Sequence, residues 1–140
     1  MKSKASIFRT MFAINILGAG IPGFLIVFFP RFAERYVLWE GQDYGTMAIL
    51  GSIWLAIGLT SILGVFRPKP FLGVFLVQFI YKSIWLLAFV VPQLMQQQAM
   101  PPAVYILIAI FLLLIVEFGL FIRPADFRQN NSRAPLAPTV

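Results

Sequence analysis

Residues 71–91 read FLGVFLVQFIYKSIWLLAFVV, an apolar stretch long enough to cross a bilayer, with Lys82 at its middle. That lysine constrains everything else in the chain. An isolated charge at the bilayer centre costs ~2.5–3.5 kcal/mol on insertion scales, so the neighbouring segments must supply its surroundings. The rest of the sequence has the composition for this. Hydrophobic residues make up 60% of it and charged residues only 11%, against about a quarter charged in a soluble domain. Such a chain lacks the polar groups to cover a water-facing surface, so lipid must cover it.

Four segments qualify as spans. Residues 7–29 exceed the ~20 positions that a spanning helix needs. A cleaved signal peptide would have an apolar region of only ~7–15 residues ending at small side chains. This run ends at Phe28-Phe29-Pro30-Arg31 and reads as a retained first span. Gly18, Gly20, Pro22 and Gly23 predict a bend within it, because Pro22 removes a backbone donor.

Residues 30–44 are the longest polar connection. At helical spacing Phe32, Tyr36 and Trp39 fall on one side, and most of Arg31, Glu34, Arg35 and Glu40 on another. This pattern predicts a short helix on the membrane surface; the alternative is an irregular loop with aromatic anchors. Residues 45–66 form the second span, with small residues four apart: Ala48, Ser52, Ala56, Thr60 and Gly64. Small side chains let spanning helices approach closely, so this row is the expected packing face, widened by Gly51 and Gly58. Arg67-Pro68-Lys69-Pro70 reads as a tight turn into the third span, 71–91. An uncharged loop leads to the fourth span, 103–122, which carries Glu117. Residues 124–140 are polar and expected to be disordered. The predicted fold is an all-α integral membrane protein, an antiparallel four-helix bundle with a short interfacial helix between spans 1 and 2. No soluble domain and no convincing internal repeat is legible.

Charge orients the bundle. Lys2, Lys4, Arg9, Arg67, Lys69, Arg123, Arg128 and Arg133 fall on one side, and only Arg31 and Arg35 on the other. This bias predicts both termini in the cytoplasm, in a bacterial inner membrane, and it requires an even number of spans. The formal charge of +6 is therefore a matter of topology and lipid headgroups, and nucleic acid is not an expected partner.

The chain has no cysteine and no histidine, which excludes thiol chemistry, thiolate clusters and imidazole ligation of metals or haem. The acids are Glu34, Glu40, Asp43, Glu117 and Asp126, spread over different segments, so neither a metal nor another cofactor is implied. The polar residues within the spans are more informative. At ~1.5 Å of rise per residue, Lys82 lies roughly 16 Å into its span, near the midplane. Gln78 is one turn away on the same face. Glu117, Asn15, Thr60 and Ser61 fall at comparable depth. The sharpest expectation is a buried Lys82–Glu117 pair, with Gln78 and Asn15 completing its hydrogen bonds. Tyr81 and Trp85 flank the lysine and are candidates to line a cavity for a quinone or lipid, or else simple packing residues. The pair itself either fixes helix register or takes part in function.

The first span ending at Pro30, the short surface segment, and the run Leu50-Gly51-Ser52-Ile53-Trp54-Leu55-Ala56-Ile57-Gly58-Leu59 resemble the DoxX-like group of small four-span bacterial membrane proteins. The resemblance covers roughly residues 7–123 and implies the architecture; no catalytic residue maps onto this chain. Some members of that group are named as partners of membrane oxidoreductases. The expected role is a non-enzymatic subunit or accessory protein that contacts membrane lipid and assembles with itself or with a larger membrane complex. A proton-coupled carrier of a small solute, or a binder of lipid or quinone using Lys82 and Glu117, is the alternative.

Overall fold

In a computed structural model, which describes residues 4–36 and 43–128, the chain is almost entirely helical and has no strand among those residues. Four helical stretches are long and apolar enough to cross a membrane: Lys4–Phe28, Tyr44–Phe66, Pro68–Met95 and Pro102–Phe121. Their lipid-facing positions are bare hydrocarbon, including Ile49, Leu59, Leu113 and Leu120, each more than half exposed. A water-soluble protein does not tolerate an apolar surface of that extent.

Proline punctuates the chain. Phe29 precedes Pro30 and leaves the helical region at φ −132°, ψ 58°, which ends the first span. Arg67 precedes Pro68 and does the same at φ −131°, ψ 77°, ending the second. In both cases the proline ring crowds the residue before it out of the α conformation. The prolines then start the next helix, where a missing N–H costs nothing. Accordingly Pro68-Lys69-Pro70 is not the tight turn expected from the sequence; it is the first turn of the third span.

Pro22 and Pro92 behave differently, because both lie inside spans. The helix passes through each of them. Immediately before them the backbone widens into a π-helical turn, at Ile16–Gly20 and at Leu86–Val90. A proline ring clashes with the carbonyl four residues earlier. Those carbonyls belong to Gly18 and Ala88, at the centre of each π turn, so the wider turn makes room for the ring. The N–H groups of Ile21 and Val91 donate to the Ile16 and Leu86 carbonyls, closing the wide turns.

The first two spans are welded together by glycine. A methyl group built at Gly58 would collide with the Gly20 backbone, and one at Gly23 with the backbone of Trp54 and Leu55. Gly51 receives the Ile26 side chain, and Gly64 the Phe12 ring. The buried face of the second span is Met47, Gly51, Trp54, Ile57, Gly58, Ser61 and Gly64. This corrects the predicted packing row. Ser52 and Ala56 are exposed, Ala48 and Thr60 only half-buried, and Gly64 alone of that row is buried. A row four apart advances about 40° per step around a helix of 3.6 residues per turn, so it spirals off any straight contact line. The Ser52 and Thr60 hydroxyls bond back to the Ala48 and Ala56 carbonyls, which satisfies them without a neighbour.

The ends of the bundle are closed by side chains. At the end that holds the start of the first span, Phe8, Met11, Phe12, Leu72, Phe75 and Ile122 cluster. At the other end Val90, Met100 and Val104 pack together. Residues 124–128, expected to be disordered, form a short helix (Pro124–Arg128), and Asp126 accepts an ion pair from Lys4. The start of the first span and the end of the fourth therefore lie at the same end of the bundle. The surface segment begins with a helix, Pro30–Tyr36, whose Ala33 is fully buried in the core; Trp39 and Glu40 of the predicted segment lie outside the described residues.

Candidate intramembrane site

Lys82 sits at the centre of the third span, and its side chain is 3% exposed. Its Nζ donates to Gln78 Oε1 at 2.6 Å, a bond between residues one turn apart on the same helix face. The ammonium also stands over two aromatic faces, 5.3 Å from the Phe111 centroid and 5.6 Å from that of Tyr81. Both distances are within cation–π range. Phe111 is in turn held edge-on by Trp85 and Tyr81, at 5.3 and 6.0 Å. Trp85 thus stiffens the aromatic floor without lining the cavity, whereas Tyr81 does line it.

The predicted Lys82–Glu117 ion pair is not formed. An ion pair does form at the end of the bundle, between Lys4 and Asp126. Glu117 is half-buried and shares with Lys82 a small void of about 20 Å³, also bordered by Asn15 and Gln78. That is room for about one water molecule. The offset of about one and a half helical turns between the two charges explains the gap, since extension of the lysine stem takes its amine only as far as Gln78.

Asn15 is 3% exposed and does not complete the lysine's hydrogen bonds. Its Nδ2 donates to Ser61 Oγ at 2.8 Å, and Ser61 donates on to the Ile57 carbonyl at 2.7 Å. This chain of bonds ties the first span to the second beside the glycine contact. Thr60, on the far side of the helix, takes no part. Lys82, Gln78, Asn15 and Ser61 are thus brought together, Glu117 borders the small void beside them, and Thr60 is left out.

Beyond Lys82 lies a cavity of about 200 Å³. The first span lines it with Asn15, Gly18, Ala19 and Pro22, and the third with Gln78, Tyr81 and Lys82. The fourth span gives a continuous apolar stripe: Ala103, Ile106, Leu107, Ile110, Phe111 and Leu114. Between Ala103 and Leu114 that stripe is about 16 Å long at 1.5 Å per residue, so the cavity is a slot lying along the bundle. Gly18, Ile106 and Ile110 line the slot and are nevertheless exposed. Its mouth therefore opens sideways, between the first and fourth spans. The π turn before Pro22 provides the wall at the mouth.

Trp54 is the residue that the sequence reading missed. It is 6% exposed, it lines the slot, and its indole N–H is buried with no hydrogen-bond partner. The Tyr81 hydroxyl is near enough to interact with it electrostatically but lies outside hydrogen-bonding geometry. A buried N–H without a partner costs ~1–3 kcal/mol and calls for an explanation. A signal was present: tryptophan in spanning helices favours the interfaces, and Trp54 lies mid-span. Phe111 and the fourth-span stripe were invisible because that helix is apolar on every side.

No family model, curated protein or solved structure matches the chain.

Proposed function

We propose that this protein is a small multi-pass membrane protein that holds an amphipathic molecule from the lipid phase in the slot between its first, third and fourth spans. The observation that carries this reading is the pairing of opposites inside the slot. A long apolar wall ends at two hydrogen-bond donors left short of acceptors. The Lys82 ammonium has three protons, and Gln78 takes one. The Trp54 N–H has no acceptor within hydrogen-bonding geometry. A molecule with a hydrocarbon body and an oxygen-bearing head meets both needs, and a sideways mouth admits it directly from the bilayer.

The proton-coupled carrier is the weaker reading, because side-chain clusters pack across both ends of the bundle beyond the slot. A role as an accessory subunit, in assembly with itself or with other membrane proteins, is compatible with a bound amphiphile and stays part of the proposal. So does the orientation: Lys4, Arg67, Lys69 and Arg123 share one end of the bundle, and that end would face the cytoplasm.

The test is native mass spectrometry of protein extracted in mild detergent. One tightly held amphipathic molecule per chain is expected. It should be lost in Gly18→Leu, a change with nothing within 4 Å of the new Cβ to disturb folding. A bare wild-type protein, or an equal load on both proteins, contradicts the reading.

A further inference from the structure

We infer that the head of the bound molecule is an anion, the carboxylate of a single-chain lipid, and that Lys82 and Trp54 read it. This inference rests on the slot proposed above and adds the chemistry of the ligand. Lys82 is a buried charge whose contacts are all neutral: one amide oxygen and two ring faces. The acid in the fourth span, Glu117, borders the same small void as Lys82 but makes no ion pair with it. A charge at that depth is stable only with a partner, and the protein supplies no direct one. Among the polar groups that line the slot (Asn15, Trp54, Gln78, Tyr81 and Lys82), the two left short are donors: the ammonium, with one acceptor for three protons, and the buried indole N–H. A carboxylate has two acceptor oxygens, enough for both donors at once, and it brings the missing charge. A quinone carbonyl or an alcohol fills the hydrogen bonds but leaves the charge uncompensated. The slot holds only about 200 Å³ and has one continuous apolar stripe, which suits one acyl chain better than the two of a phospholipid.

Glu117 sharpens the inference. Across its small void it partly neutralises Lys82 and so competes with an anionic head. Replacing it by glutamine removes the competitor without changing the shape of the site.

The experiment uses the full chain in lipid nanodiscs with Trp39 and Trp85 changed to Phe, so that Trp54 is the fluorophore. The probes are a chain-brominated fatty acid, the chain-brominated alcohol of equal length, and an unbrominated quinone as competitor. The fatty acid should quench Trp54 saturably and bind at least tenfold more tightly than the alcohol, with the quinone competing poorly. Lys82→Met should weaken the fatty acid at least tenfold and the alcohol, which loses one hydrogen bond and no charge pairing, far less, so that the preference for the acid disappears. Glu117→Gln should tighten fatty-acid binding severalfold and leave the alcohol unaffected. If acid and alcohol bind equally, if Lys82→Met keeps the preference, or if the quinone displaces the acid, the slot stands but the anionic head is wrong. If no probe quenches Trp54 saturably, the slot reading fails and takes this inference with it.

Discussion

The two halves of this bundle solve the same packing problem differently. Spans 1 and 2 meet backbone to backbone at Gly20, Gly23 and Gly58, with side chains seated on Gly51 and Gly64. A polar link between them, Asn15 to Ser61 to the Ile57 carbonyl, closes within the protein. Spans 3 and 4 meet through rings, Phe79 on Phe118 and Trp85 on Phe111, and the fourth span stands away from the first. Their polar groups are left short: a charge without a contacting counter-charge, and an indole N–H facing them from span 2 with no acceptor. Lipid offers no hydrophobic drive between helices, so close packing must hold a membrane bundle together. One half of this molecule follows that rule. The other gives up contact along one side, and that side is where the slot lies.

The contrast breaks most sharply at glycine. Gly58→Leu should cost about 1–3 kcal/mol or more, because the new side chain has only the Gly20 backbone to push against. Thermal melting in detergent should show a large drop. Gly119→Ala, in the loose half with nothing within 4 Å, should melt as wild type or slightly above it. Equal effects at the two sites would erase the distinction between the halves.

Asn15→Leu should cost about 1 kcal/mol, since hydrogen bonds between spans are worth ~0.6–2 kcal/mol and Ser61 keeps its own bond to Ile57. Lys82→Met should cost less than that or even stabilise the fold, because a buried charge without direct compensation disappears. A Lys82→Met protein far less stable than Asn15→Leu would mean that the lysine is structural.

The smallest effect concerns the tie between the bundle's first and last helices. Burial, the largest single influence on the Asp126 carboxyl, pushes it up, but hydrogen bonds from the Lys4 amine and the Arg123 backbone N–H, together with the charges of Lys4 and Arg123, outweigh it and hold the group below the usual carboxylate range. A folded-state value below the unfolded one means that the tie contributes fully above roughly pH 4 and is lost as pH falls through the lowered value. The tie should therefore add a small decline in melting temperature below about pH 4, and Asp126→Asn should remove that part of it. Asp43 caps the second span through the Thr46 N–H, which lowers its carboxyl as well, so that the acid decline should persist in part.

Much of the fold was readable from the chain, because length and hydropathy alone define a span. The end of the first span was legible at Pro30, where helix and lipid both give way. The start of the third was not, because Pro68 and Pro70 look like a turn until a helix N-terminus accounts for them. The contact face of span 2 was misread by rotation: Gly51 and Gly58 were visible, but a row four apart drew attention away from the 51, 54, 58, 61 seam. In the site, Lys82 and Gln78 were found because a charge and its amide neighbour stand out in hydrocarbon. Trp54 and Phe111 were not, since an aromatic residue in a span is unremarkable until its neighbours are known. The direct Lys82–Glu117 pair failed on geometry, as depth along two helices does not fix the distance between them.

The most direct measurement is photo-crosslinking in membranes with a lipid carrying a diazirine on its chain, followed by peptide mapping. The account predicts adducts concentrated on the slot wall, at Gly18–Pro22 and along Ile106, Leu107 and Ile110, and their disappearance in Gly18→Leu. Adducts spread evenly over the outward-facing positions, with Leu59, Leu113 and Leu120 labelled as heavily as the slot, would contradict it.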